Sequence, residues 1–243
     1  STKLFANSSK YTSLAAKIPT LANTLYANKT SASIIKKITG VAPQRTLPKL
    51  KPWKREVTKT PVHPKGKKVF LYLDEFSKYL DGNIAKDAID VLRGLGYEVD
   101  VVAHLDSARA LISKGFLKQA KVCATKNIAY LQSKVSESTP LLGIEPSAIL
   151  GFRDEFLRLV DDRDAATYVS KHVYLIEEFL ASEFEKGIHC KSVFTKDTAQ
   201  IKIHVHCHQK ALSNQKFTFD ILNFPTNYNP TLINSGCCGM AGS

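Results

Sequence analysis

Lys68-Val69-Phe70-Leu71-Tyr72-Leu73-Asp74 is the stretch on which the fold of this chain turns. Lys68–Leu73 is a short apolar run closed by an acid, the pattern of a strand buried on both faces. The period then changes. Across Asn83–Leu95 the residues Ile84, Ala88, Val91, Leu92 and Leu95 recur at helical spacing, and Gly96 closes the helix. Tyr97–Ala103 returns to strand composition. A strand, a helix and a second strand form the unit that builds parallel sheets, because parallel neighbours need a crossover between them.

The alternation continues downstream. Gly115–Val135 reads as a long helix, Leu141–Ile144 as a short strand and Ser147–Val160 as a helix. Tyr168–Glu185 reads as one helix with Val169, Val173, Ile176, Phe179 and Leu180 inward. Gln200–Val205 is a strand, Lys210–Leu222 is helical in part, and Thr231–Ile233 is the last strand. The expected fold class is therefore α/β: a mostly parallel sheet with helices on both faces. Two halves, 67–160 and 161–243, repeat one plan. Asp74 and Asp106 are 32 positions apart and Cys207 and Cys237 are 30 apart. Asp106-Ser107-Ala108 thus stands where Cys237-Cys238-Gly239 stands in the second half.

Charge separates the body from what precedes it. Of the net +12, residues 1–68 carry fifteen Lys and Arg against Glu56 alone, while the remainder is slightly acidic. In Leu14, Ile18, Leu21 and Leu25, then Ile34, Ile35 and Ile38, an apolar stripe follows helical steps up to Gly40. Residues 1–40 form a basic helical arm. Residues 41–66 hold Pro43, Pro48, Pro52, Pro61 and Pro64 and form a proline-rich linker. Residues 67–243 are the body. A basic arm is attracted to anionic lipid, to acidic protein surfaces or to nucleic acid. Nucleic acid is disfavoured, since the arm lacks a compact basic block, an RNP-like aromatic pattern and zinc-finger spacing. No apolar run approaches the roughly 20 residues of a bilayer span. Ser1–Tyr11 lacks the apolar core of a secretory signal. Five cysteines without regular spacing do not make a disulfide framework. The expectation is a cytoplasmic, reducing location, with the arm leaving a membrane-peripheral association open.

Chemistry concentrates in two places. His204-Val205-His206-Cys207-His208 follows one β-branched run, and Gly236-Cys237-Cys238-Gly239 follows another. Loops at strand ends are where α/β sheets build sites, and thiolates with imidazoles select zinc, copper(I) or iron–sulfur. Cys207, Cys237 and Cys238 are the candidate ligands, with His206 and His208 beside them. If the strand persists, these two histidines flank Cys207 and lie on the side opposite to it; one joins Cys207 at a metal and the other supports it. His204 reads as an inward strand histidine satisfied by hydrogen bonds. Cys123 reads as packing and Cys190 as an incidental loop thiol. Glu145, Arg153, Asp154 and Glu155 line the same cleft or serve as caps and ion pairs. Asp74 and Asp106 are given structural roles, since nothing nearby completes a catalytic set. No dinucleotide fingerprint follows the first strand, and there is no G-x-S-x-G elbow.

Gly143-Ile-Glu-Pro-Ser-Ala-Ile-Leu-Gly-Phe-Arg-Asp-Glu155, His206-Cys-His-Gln-Lys-Ala-Leu212 and Ser235-Gly-Cys-Cys-Gly-Met-Ala-Gly-Ser243 resemble a known pattern. It is the cysteine-rich CCG domain of the FAD-linked oxidase and iron–sulfur oxidoreductase family, of glycolate oxidase and D-lactate dehydrogenase type. Heterodisulfide reductase subunits are related to it. The likeness spans about Lys67 to Ser243 and includes Ala110–Gly115. It implies an iron–sulfur electron-transfer region of a larger oxidoreductase acting on 2-hydroxyacids, with FAD on another part. It also implies preceding ferredoxin-like and flavin domains, the arm resembling the linker that follows the former. On this pattern the body is incomplete at its C-terminus. The departures are specific. Asp106-Ser107-Ala108 replaces a Cys-Cys-Gly, and Ala148 replaces the cysteine of Glu-Pro-Ser-Cys, so the first half lacks the thiolates of a cluster site. Zinc, or no metal in a structural and interaction domain, is the alternative that the residues leave open.

Overall fold

The computed structural model describes residues 2–54 and 67–236. Four helices precede the sheet: α1 (Thr2–Ala6), α2 (Ser8–Ala15), α3 (Pro19–Ala27) and α4 (Lys29–Thr39). Asn28 starts α4 by accepting from Thr30 N and Ser31 N, and Gly40 closes it in the left-handed region at φ 78°. The helical reading of the arm holds, but its apolar stripe faces solvent. Leu14, Ile18, Leu21, Leu25, Ile34 and Ile38 are all exposed. What anchors the arm is smaller: Ala6 is buried, Ser9 donates to Asp106, and Asn23 bonds both polar groups of Leu50's backbone. The described part of the linker runs against the body, with Lys51 N bonded to Tyr79 O and Trp53 N to Lys78 O.

The body begins with β1 (Lys68–Tyr72), α5 (Glu75–Tyr79), α6 (Gly82–Gly94) and β2 (Glu98–Val102). There follow α7 (Arg109–Ser113), α8 (Leu117–Leu131), β3 (Leu141–Gly143), α9 (Pro146–Ile149) and α10 (Glu155–Leu159). Then come α11 (Arg163–Ser170), β4 (Val173–Leu175), α12 (Ile176–Glu185), β5 (Ala199–Ile203), α13 (Cys207–Leu212), α14 (Gln215–Asn223) and β6 (Tyr228–Leu232). The sheet runs β2-β1-β3-β4, parallel throughout. Along β1 the side chains alternate between two cores. Val69, Leu71 and Leu73 pack with Ala85, Ile89 and Leu92 of α6 and with Phe179 and Leu180 of α12. Phe70 and Tyr72 pack with Ala120, Ala124 and Ile128 of α8 and with Phe152 and Phe156. Each such side chain, fully withdrawn from water, contributes about 2 kcal/mol, so the central strand holds both helical layers. The α/β architecture with helices on both faces is as the sequence predicts.

Three details differ from the sequence reading. The buried face of α6 is Gly82, Ala85, Ile89 and Leu92, whereas Ile84 and Val91 are exposed. The helix rotates toward its small residues because the chain passes close there: a Cβ on Gly82 would lie 2.3 Å from Trp53 N. Tyr168–Glu185 is not one helix, since Val173–Leu175 pairs with Leu141–Gly143 as an edge strand. Val169, Val173, Phe179 and Leu180 are buried all the same. Finally, β5 and β6 form a separate two-stranded parallel sheet. Among the described residues no helix is long and apolar enough to cross a membrane.

Candidate metal centre at the strand ends

The second half builds its site from one local device. β5 ends at Ile203, the backbone of His206 is extended, and α13 begins at Cys207. His206 is the residue that caps this helix: its Nδ1 accepts from His208 N at 3.1 Å. The strand does not persist: the turn into α13 brings both imidazoles round to the thiol. Their ring centroids lie 5.4 Å apart, and one ligand atom from each, with Cys207 Sγ, falls within a 4.8 Å cluster. Cys207 Sγ is 3.7 Å from His208 Nδ1 and 4.0 Å from His206 Nδ1.

Neighbouring groups set the tautomers. Arg109 has only donors to offer, and its Nη1 lies 3.4 Å from His208 Nε2, which makes that nitrogen the acceptor. The proton of neutral His208 then sits on Nδ1, facing the thiol. Burial, followed by the Arg109 charge, lowers the pKa of His208 and keeps it neutral. Because the Nδ1 of His206 is taken by the helix cap, its proton is on Nε2, which is 3.8 Å from Glu145 Oε1. Glu145 also caps α9, accepting from Ser147 N and Oγ. Gly143 lets that helix start so near the sheet, since a Cβ there would lie 2.4 Å from Ile149 Cβ. Arg109 itself is held by Glu155 at 2.6 Å, with both side chains mostly buried, and Glu155 Oε2 has no partner among the described residues.

The thiol thus sits between two imidazoles of the second half, one of which turns an N–H to it, with Arg109, Glu145 and Glu155 of the first half behind them. One thiol and two imidazoles would make three of the four donors that zinc takes, on condition that the imidazoles give up the helix-cap and Arg109 bonds to their unprotonated nitrogens. An iron–sulfur cluster needs further thiolates. Cys237 and Cys238, on which either completion depends, lie outside the described residues. The chain leading to them is held beside the site: His204 Nε2 donates to Gly236 O at 3.2 Å, and Lys210 Nζ of α13 donates to Ser235 O at 2.8 Å. His204 is therefore an exposed tether and not an inward core residue.

Other sequence candidates divide cleanly. Arg153 is not at this site; it makes a paired contact with Glu178 at 2.9 and 2.7 Å and caps Val173 O. Asp154 pairs with Arg158. Cys123 is half-buried, donates to Asp106 O, and is pushed up to about 12 by burial. Cys190 is exposed beside Ser192. Asp74 is a buried N-cap of α5. Sequence reasoning missed Arg109 and Glu75. Their signal was position: Arg109 directly follows Asp106-Ser107-Ala108, and Glu75 follows Asp74 as Cys207 follows His206.

The halves match in register. Leu71 pairs with Val101 and Ile203 with Leu232. Glu75 and Cys207 lie the same number of residues beyond these first-strand partners. Asp106-Ser107-Ala108 and Cys237-Cys238-Gly239 begin equally far beyond the second. Ala108 is the non-glycine residue at positive φ (59°) among those described, in the place of Gly239.

The fold and site define a parallel α/β domain with a thiol–imidazole cluster at a strand end. Its similarities lie among dehydrogenases. Over 181 residues the chain is 26% identical to D-2-hydroxyglutarate dehydrogenase of Escherichia coli K12, covering 74% of this chain and 17% of that one. Over 179 residues it is 23% identical to the enzyme of the same name from Haemophilus influenzae, covering 72% and 17%. With one of the subunits of the anaerobic glycerol-3-phosphate dehydrogenase of E. coli K12 it shares 24% over 208 residues, covering 82% and 51%. The chain thus spans about half the length of one relative and a sixth of the others. No family profile matches it, and no solved structure does.

Proposed function

We propose that this chain is the iron–sulfur-binding, electron-transfer region of a larger flavin-linked oxidoreductase acting on a 2-hydroxyacid. The observation that carries this reading is the convergence of His206, Cys207 and His208, with Ser235 and Gly236 fastened beside them at the threshold of Cys237-Cys238. The names of its relatives, which are dehydrogenases of a 2-hydroxyacid and of glycerol 3-phosphate, support the reaction class. Cys207, Cys237 and Cys238 are the proposed thiolate ligands. The resemblance to CCG domains supports a four-iron cluster, and such a cluster would accept and pass single electrons. The chain's own residues do the tuning. His208 Nδ1–H and the helix N-terminus direct positive charge at Cys207 Sγ, and Arg109 holds His208 in the tautomer that does so. Flavin and ferredoxin-like domains of the same protein are the proposed partners, and the cell interior the proposed location.

Zinc is the second reading, favoured by the imidazole content of the described set. Anaerobically prepared protein is assayed for iron, sulfide and zinc, with visible absorbance recorded. Stoichiometric iron and sulfide, lost in Cys207→Ser and Cys237→Ser, are expected. Stoichiometric zinc without sulfide would overturn the electron-transfer reading.

A further inference from the structure

The first half carries a buried acid cluster that the proposed chemistry does not use. Glu75, at the start of α5, accepts from Ser107 N at 3.1 Å and from Ser107 Oγ at 2.8 Å. Asp106 accepts from Ala108 N and, across the interface, from Ser9 of α2. The hydroxyl of Tyr72, wholly buried on β1, has no hydrogen-bond partner among the described residues, although Glu75, Asp106 and Asp74 act on it. The arm closes this cluster from outside. Ser9, Lys10 and Ser13 line one small cavity of about 210 Å³ with Glu75 and Asp106, and Ala6 is buried next to it.

We infer that Glu75 is a proton-binding site coupled to the docking of the N-terminal arm: the arm seats while Glu75 is protonated and loosens when Glu75 ionises. The reasoning is reciprocal. A cover that withdraws a carboxyl from water disfavours its anion, so the anion must disfavour the cover by the same factor. Burial, with the charge of Asp106 behind it, pushes Glu75 up to about 7. The charged and titratable groups facing Glu75 come from every packed element. They are Tyr72 on β1, Asp74, Lys78 and Tyr79 on α5, His104 and Asp106 beyond β2, Cys123 on α8, Lys10 and Tyr11 on α2, and Tyr26 on α3. Burial and the second carboxylate oppose ionisation, while the N–H and O–H of Ser107 favour the anion. This inference does not depend on a metal at Cys207.

Hydrogen-exchange protection factors, corrected for intrinsic rates, test it on the full 243-residue chain. Protection over residues 6–15 is expected to fall on the order of tenfold from pH 6 to pH 8, while protection in α8 holds. Glu75→Gln should keep the arm at its pH 6 protection throughout. Ser9→Ala should lower arm protection and also lower the titration midpoint of the Glu75 carboxyl, followed by infrared difference spectra. A flat wild-type profile overturns the inference without recourse to any variant. So does a pH response that survives in Glu75→Gln, or a carboxyl midpoint unmoved in Ser9→Ala.

Discussion

The end of β1 and the end of β5 are built on one plan and filled with opposite chemistry. In both, an extended residue caps a short helix with its own side chain, Asp74 in one and His206 in the other. The next residue, Glu75 or Cys207, presents its side chain at the helix N-terminus. At β1 the device holds oxygen: a carboxylate satisfied by a serine, sealed under the arm. At β5 it holds sulfur and imidazole, half-open and bordered by Arg109 and Glu145. The difference shows that the backbone supplies position while the side chain decides whether the place closes on itself or awaits a ligand. Arg109 joins the two, leaving from the oxygen site and ending at the sulfur site.

The strongest way to break this comparison is at the thiol. Cys207→Ser should abolish bound metal while Glu75→Gln leaves it intact, read by metal analysis of matched preparations; equal losses would erase the distinction between the two ends. Next comes the support of α13. Glu178 is almost fully buried and bonds Arg153 twice, Leu175 N and Ser213 Oγ, so Glu178→Ala should cost about 3 kcal/mol in denaturant unfolding. A cost near zero would mean that the second half does not rely on this network.

The acids sharpen the comparison through pH. Burial raises Glu177 as well as Glu75 to about 7. A carboxyl raised by folding disfavours the folded state once ionised. Stability should therefore decline as pH climbs from about 4.5 toward 7 and level off above, by about 3 kcal/mol per group. Glu75→Gln and Glu177→Gln should each remove part of that decline, seen as a higher melting temperature at pH 8 than the parent's. The smallest effect is at the turn. Ala108→Gly relieves a left-handed alanine and should stabilise by about 1 kcal/mol; a loss instead would show that the side chain's packing outweighs its strain.

Much of this was legible from residues alone, and the failures have physical causes. β1 and α6 were found because their periods are distinct, yet the face of α6 was assigned by hydrophobicity while close approach chose Gly82 and Ala85. β4 was hidden because Tyr168–Glu185 has no glycine or proline, and its strand exists only through pairing with β3. That both imidazoles reach the thiol was not legible, because the apolar pattern runs on to Val205 and does not mark the strand's end at Ile203 or the start of α13 at Cys207. Glu75 and Arg109 carry no local pattern of their own; only the alignment of the two halves marks their positions.

A parallel pair of strands standing alone has two open margins, and β6 guards one of them. Ile233 N bonds to Ile203 O, so alternate residues of β6 turn their N–H groups toward β5 and Pro230 turns its nitrogen outward. Midway along that margin there is no hydrogen to donate. A foreign strand seeking to extend the ribbon meets a gap in the ladder where it would need to start, which lowers the hazard of edge-to-edge polymerisation beside the thiol of Cys207.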